Sequence, residues 1–230
     1  NGCKMKRILS VEKINVFIGK KQILKNVNLT VNKEDFIILL GPNGSGKTTL
    51  LKSILGMMKI NSGKIFFYDD GGTGNIRKKC GYVPQQLDVD RYFPIIAEQI
   101  INFGRPEKDF LRHLTDELKI KNIVKKPFGL LSGGERQKIL LTMALAGKPV
   151  ILFLDEPNLN LDVTAYKDFL KCVEKVKKEF GLTIIMVTHL ISSIPDTANK
   201  IVVLKDGQIV FNDAPRKILK RKDMVDLIYG

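Results

Sequence analysis

Phe36-Ile-Ile-Leu-Leu-Gly-Pro-Asn-Gly-Ser-Gly-Lys-Thr-Thr-Leu-Leu-Lys-Ser-Ile-Leu55 decides the fold of this chain. Its first five residues are a continuous apolar run, as in a strand covered on both faces. Its last six carry the spacing of a helix. Between them, Gly41, Pro42, Asn43, Gly44, Ser45, Gly46, Lys47 and Thr48 fit the pattern G-x-x-x-x-G-K-[ST], with Thr49 following. A glycine-rich turn brings backbone N–H groups close to an anion without Cβ clashes, and the helix behind it adds the positive end of its dipole. Lys47 has the reach for the β and γ phosphates of a nucleoside triphosphate, and the Thr48 hydroxyl suits Mg²⁺. A Gly/Ser-rich loop matching by accident would not also sit between a buried strand and a helix.

A phosphate loop says nucleotide without saying what the nucleotide is for. Leu131-Ser-Gly-Gly-Glu-Arg-Gln137 narrows the question. Ser132, Gly133 and Gly134 precede the apolar run Ile139–Leu145, so they read as a second helix start with a hydroxyl, small residues and open N–H groups. With both motifs in one chain, the sequence resembles the ATP-binding subunits of ABC transporters, whose signature is Leu-Ser-Gly-Gly-Gln. The fifth signature residue here is Glu135.

The resemblance covers residues 7 to 229 and implies roles for further residues. Val150-Ile-Leu-Phe-Leu-Asp-Glu156 is an apolar strand ending in two acids, with Asp155 expected beside Mg²⁺ and Glu156 expected to polarise the attacking water. Gly81-Tyr-Val-Pro-Gln85 matches the Q-loop, which assigns Gln85 to Mg²⁺, water and contact with the membrane partner. Asn158-Leu-Asn-Leu-Asp162 matches the D-loop through Leu161 and Asp162, although its earlier positions differ from the usual Ser-Ala. His189, after the apolar run Thr183–Val187, matches the switch histidine that contacts the γ-phosphate. One element departs from the pattern. The family places an aromatic ring on adenine just before Gly-x-x-x-x-Leu, and here that position, before Gly19, is Ile18. Phe17 comes one residue early, and on a strand one residue changes the face. Either Ile18 is an apolar platform for adenine or a bulge brings Phe17 into place.

The expected fold is α/β: a P-loop NTPase of ABC type, with a parallel-sheet core, an antiparallel β subdomain and an inserted helical subdomain. The whole chain, 1–230, is expected to be one ATPase domain, with 5–86 and 146–230 as nucleotide-binding core and 87–145 as helical subdomain with the signature. Arg7 to Leu40 reads as antiparallel strands, and Ile65–Tyr68 as another strand. Asp69 to Asn75 reads as a flexible loop, and helical spacing recurs over Ile95–Phe103, Lys108–Leu118 and Lys119–Val124. Ile201 to Phe211 reads as a hairpin turning at Asp206-Gly207, and Asp213–Tyr229 as a closing helix.

Bulk properties exclude several classes. No apolar run reaches the ~18 residues needed to cross a bilayer. Three cysteines far apart give neither a disulfide framework nor zinc spacing. The net charge of +14 is spread over solvated faces, without aromatic residues between the basic ones, so no nucleic-acid partner is expected. The implied partners are a second ABC ATPase subunit, in a homodimer that sandwiches ATP, and a transmembrane permease. The implied location is cytoplasmic, peripheral at the inner face of the cell membrane. Val89-Asp-Arg-Tyr-Phe-Pro94, after the Q-loop, resembles zinc- and manganese-uptake ATPases, with Tyr92, Phe93 and Ile95 as docking residues for the permease. The competing classes are a soluble ABC ATPase of iron–sulfur assembly and one of nucleic-acid processing.

Overall fold

The computed structural model describes residues 6–69, 72–73, 79–87, 89–90, 93–159 and 161–221. In chain order the elements are β1 (Arg7–Ile18), β2 (Lys21–Asn32), β3 (Phe36–Leu40), α1 (Lys47–Leu55), β4 (Ser62–Asp69), β5 (Gly72–Thr73), β6 (Cys80–Val83), α2 (Ala97–Asn102), α3 (Lys108–Glu117), α4 (Gly133–Ala146), β7 (Ile151–Asp155), α5 (Val163–Phe180), β8 (Thr183–Thr188), β9 (Lys200–Lys205), β10 (Gln208–Asp213) and α6 (Pro215–Ile218). They form two compact units, Asn1–Lys78 with Thr183–Gly230, and Lys79–Leu182.

The first unit has two sets of strands. β2-β1-β4-β5 is an antiparallel sheet. The other set runs β10-β9-β3-β8, with β3 parallel to both β8 and β9. All five residues of β3 and all six of β8 are buried, as continuous apolar runs require. Asp35 anchors the start of β3: it accepts hydrogen bonds from Asn32 N and Asn199 Nδ2, each at 2.9 Å. The β9–β10 hairpin turns through Asp206 (φ 48°) and Gly207 (φ 79°), two left-handed residues as a two-residue primed turn demands.

The second unit pairs β6 and β7 in parallel. α4 is its central helix, packing against α2, α3, α5 and β6. The His113–Glu179 hydrogen bond, the Lys175–Glu117 ion pair and the Phe110–Phe180 edge contact hold α3 to α5.

Four expectations need correction. β3 is parallel to its neighbours, which lie far off in sequence, and so does not continue the antiparallel ribbon of β1 and β2. Lys119–Val124 forms turns: Lys119 takes a left-handed φ of 54°, which ends the helical path, and Ile120 and Ile123 still bury themselves. The loop expected over Asp69–Asn75 contains β5, which pairs Gly72 with Asp69 and Thr73 with Tyr68. The expected closing helix begins with a strand residue, Asp213, and is helical only over Pro215–Ile218; its part from 222 on lies outside the described residues. Among the described residues, no helix is long and apolar enough to cross a membrane.

Candidate nucleotide-binding and hydrolysis site

β3 ends at Leu40 and the chain turns at once into the phosphate loop. Gly41 has φ 152°, and a Cβ there would lie 2.0 Å from Leu204 O, so only glycine fits against β9. Lys47 is buried and folds back over the loop, donating from Nζ to Gly41 O and Pro42 O, both at 2.9 Å. Ser45 is buried too, and its Oγ has no hydrogen-bond partner among the described residues. α1 starts at Lys47 behind Gly46 with no side-chain cap, so Thr48 and Thr49 sit in a first turn whose end is open. An orphaned hydroxyl, an inward lysine and an uncapped helix start are a donor set made for phosphate oxygens. β8 lies beside β3 with Thr188 opposite Leu40, so His189 leaves its strand at the same end as the phosphate loop.

In the second unit, Val83 pairs with Leu154, so the residues after β6 and those ending β7 leave at one end. Asp155 and Glu156 are both buried. Glu156 adopts φ 44°, a left-handed conformation that non-glycine residues avoid, and strain of this kind gathers where a side chain must be aimed. Its carboxylate accepts a long hydrogen bond, 3.4 Å, from Gln85 Nε2. Asp155 Oδ2 accepts from the Tyr82 hydroxyl at 3.3 Å. Burial, and then the charge of Asp155, push the Tyr82 phenol well above its ordinary range, so it remains a donor. Tyr82 carries no mark in the sequence motifs. Its strand position offered a signal: in Cys80–Val83, Tyr82 must face opposite to buried Gly81 and Val83.

The signature lies on the first turn of α4, and the chain itself occupies part of that helix start, at Ser132 and Glu135. Ser132 and Glu135 form a capping box: Ser132 N donates to Glu135 Oε2 at 2.8 Å, Ser132 Oγ to the same oxygen at 2.9 Å, and Glu135 N back to Ser132 Oγ at 3.3 Å. The Ser132 backbone N–H, above the other contributions, holds the Glu135 carboxyl below its usual range. Gly133 and Gly134 follow, and a Cβ on Gly134 would touch Ala165 of α5 at 3.3 Å. Asp162 caps that helix, its Oδ1 accepting from Ala165 N at 2.8 Å. The signature and the D-loop residue are thus brought together at two adjoining helix starts.

Ile18 and Phe17 lie at the end of β1, 53% and 44% exposed. The pairing of β1 with β2 slips there: Val16 faces Leu24 and Phe17 faces Gln22, which skips Ile23. The same stretch backs the phosphate loop, since a Cβ on Gly46 would meet Leu24 Cδ2 at 2.8 Å. Of the expected docking residues, Phe93 is 56% exposed, Ile95 is partly covered, and Tyr92 lies outside the described residues.

Comparison with known proteins settles the family. The family profile described as ABC transporter matches residues 24–159. The chain belongs to the ABC transporter family. It is an ATP-binding, ATP-hydrolysing subunit of the kind this family uses. It is 34% identical over 227 residues to the zinc import ATP-binding protein ZnuC of Buchnera aphidicola subsp. Baizongia pistaciae, covering 98% of this chain and 92% of that one. It is 29% identical, over 95% of its own length and 81% of the other, to an energy-coupling factor transporter ATP-binding protein of Clostridium perfringens. The solved structure of cbiO1 from Clostridium perfringens, part of the ABC transporter complex cbiONQ, superposes with a TM-score of 0.80 at 26% identity, over 96% of this chain and 94% of that one.

Proposed function

We propose that this ABC ATPase powers import of a divalent metal ion, zinc or manganese, as a peripheral subunit at the cytoplasmic face of a membrane permease. Support for the cargo comes from the likeness to a zinc import subunit along nearly the whole chain. The exposed Phe93, close after the Gln85 segment, supports a docked partner. Two copies of the chain act together, each signature closing on the nucleotide of the other in an isologous pair.

The residues then divide the work. Lys47, the loop N–H groups and the open end of α1 hold the β and γ phosphates. Thr48, Asp155 and Gln85 would hold Mg²⁺, which neutralises charge gathering on the phosphates. Glu156 takes the part of general base, with its carboxylate aimed by the strained backbone and steadied by Gln85. Tyr82 fixes the orientation of Asp155 from behind. His189 bonds the γ-phosphate, Ser132, Gly133 and Gly134 meet the phosphates of the partner's nucleotide, and Asp162 lies beside them. Ile18 or its neighbour Phe17 covers adenine.

The test is metal accumulation in a strain lacking the gene, grown with a chelator. The expected result is low zinc or manganese, restored by the wild-type gene and not by the Glu156→Gln variant. Normal zinc and manganese together with loss of another solute would refute the cargo and leave the ATPase.

A further inference from the structure

Gln137 is only 6% exposed, yet its Oε1 has no hydrogen-bond partner among the described residues. The same holds for Nε of Arg136, its neighbour on α4. Both residues line a cleft of about 60 Å³ completed by Gln85, Gln86, Phe128 and Leu140 among others. Arg136 is fixed there: its Nη2 donates to Gly129 O at 2.6 Å, and its guanidinium lies 5.8 Å from the centre of the Phe128 ring. Its Nε–H therefore has little freedom to find another acceptor.

A buried donor and a buried acceptor left unpaired are each costly, and a polar cleft relieves both by taking up water. A site needs only ~10–15 Å³ of such space to admit one water, so this cleft has room for more than one. A water that accepts from Arg136 Nε and donates to Gln137 Oε1 still has capacity for the wall formed by Gln85 and Gln86. Gln85 in turn donates to Glu156. We infer that Gln137 is a positioning residue for ATP hydrolysis, acting through one or two ordered waters that tie Gln85 to the first turn of α4. The inference rests on the roles proposed above for Gln85 and Glu156. Since that turn begins at Ser132, the same waters make the placement of Gln85 and of the signature depend on each other.

The experiment measures steady-state hydrolysis and nucleotide binding of the purified full chain. Gln137→Met keeps length and volume and removes the acceptor; Gln137→Glu gives an acceptor oxygen back. The expected result for Gln137→Met is an unchanged nucleotide Kd and a kcat about tenfold lower, the size seen when a partner one step behind the reacting groups is lost. Gln137→Glu restores most of the rate. Combined with Gln85→Ala, Gln137→Met adds no further loss, because both cut one chain of contacts. Leu140→Phe narrows the cleft without touching a polar group and gives the same kcat loss. Wild-type kcat in Leu140→Phe overturns the water-mediated route even if Gln137→Met fails to fold. Fully additive losses in the double variant also overturn it. A silent Gln85→Ala would bring down the role of Gln85 itself and the inference with it, whereas a slow Gln85→Ala beside a silent, folded Gln137→Met overturns the inference alone.

Discussion

Replacing Gly207 with alanine tests whether the β9–β10 turn is part of the phosphate site. Gly207 N donates to Ser45 O at 3.1 Å, and Gly207 O accepts from Lys25 N at 2.8 Å, so the turn ties the phosphate loop to β2. A Cβ on Gly207 would lie 2.2 Å from Ile23 O and 3.0 Å from Ile23 C, contacts that only backbone movement can relieve. Holding alanine at a left-handed φ costs about 1–2 kcal/mol. Moving the turn off Ile23 gives up two hydrogen bonds at about 1 kcal/mol each. The sum, about 3–4 kcal/mol, lowers Tm by roughly 10 °C in a chain of this length. ATP affinity falls with it, by about tenfold for each 1.4 kcal/mol that binding must spend on re-forming the loop. Thermal melting and fluorescent-nucleotide titration read the two effects separately. Asp206→Asn, at the neighbouring left-handed position, is the control and stays within about 0.5 kcal/mol of wild type. If Gly207→Ala melts within about 2 °C of wild type and binds ATP normally, the turn does not support the loop and the packing argument fails.

Glu156→Gln keeps the strained backbone and the fold but loses the base, so kcat falls by about 10²–10⁴ with ATP still bound; near-normal phosphate release would remove Glu156 from the base role. Tyr82→Phe takes a donor from Asp155 and raises the Mg²⁺ concentration for half-maximal rate about tenfold, and an unchanged Mg²⁺ curve would argue against that link. Glu135 has a lowered carboxyl pKa, so its contribution to stability is full above the unfolded value near 4.5 and is lost as pH falls through the folded one. Melting curves of wild type and Glu135→Gln therefore converge below that range, and a constant offset down to the acid limit would contradict the capping box as the cause. For adenine, Phe17→Ala weakens ATP binding by about 1–3 kcal/mol if the slip at Ile23 makes that ring the platform; a loss in Ile18→Ala alone would give the place to Ile18.

Much of this was legible because burial on both faces leaves a simple trace. The runs 36–40, 151–154 and 184–187 are apolar without interruption, and each lies in a buried strand. Pairing is different. β3 joins β8 and β9, far along the chain, and no periodicity within 36–40 encodes such partners. At Lys119–Val124, the i,i+3 spacing of Ile120 and Ile123 imitated a helix, yet two buried isoleucines three apart fit a turn equally well. The left-handed backbone of Glu156 is a tertiary demand and leaves no mark in an apolar strand ending in two acids. Ser132 and Glu135 are the opposite case: S-x-x-E is a capping box written in the sequence itself, and the same residues also fit a helix start that takes a foreign anion.

The capping box bears on how the site is divided. Three helices begin at motif residues: α1 after Gly46, α4 after Ser132, α5 after Asp162. Each start presents N–H groups in need of acceptors. At α4 and α5 the chain supplies its own acid, Glu135 and Asp162. At α1 it supplies none, has no acidic residue in the first turn, and places Lys47 and the unpartnered Ser45 hydroxyl nearby. A helix start already satisfied by a carboxylate gains less from a phosphate, because binding must displace that acceptor or set two negative charges together. On the reading proposed above, the phosphate loop would therefore hold nucleotide without help. On that same reading, the signature engages phosphate only where other contacts offset the exchange at Ser132, and a second subunit would supply those contacts. Such strong binding at one helix start and conditional binding at another would let nucleotide be held throughout a cycle while the grip of a partner comes and goes.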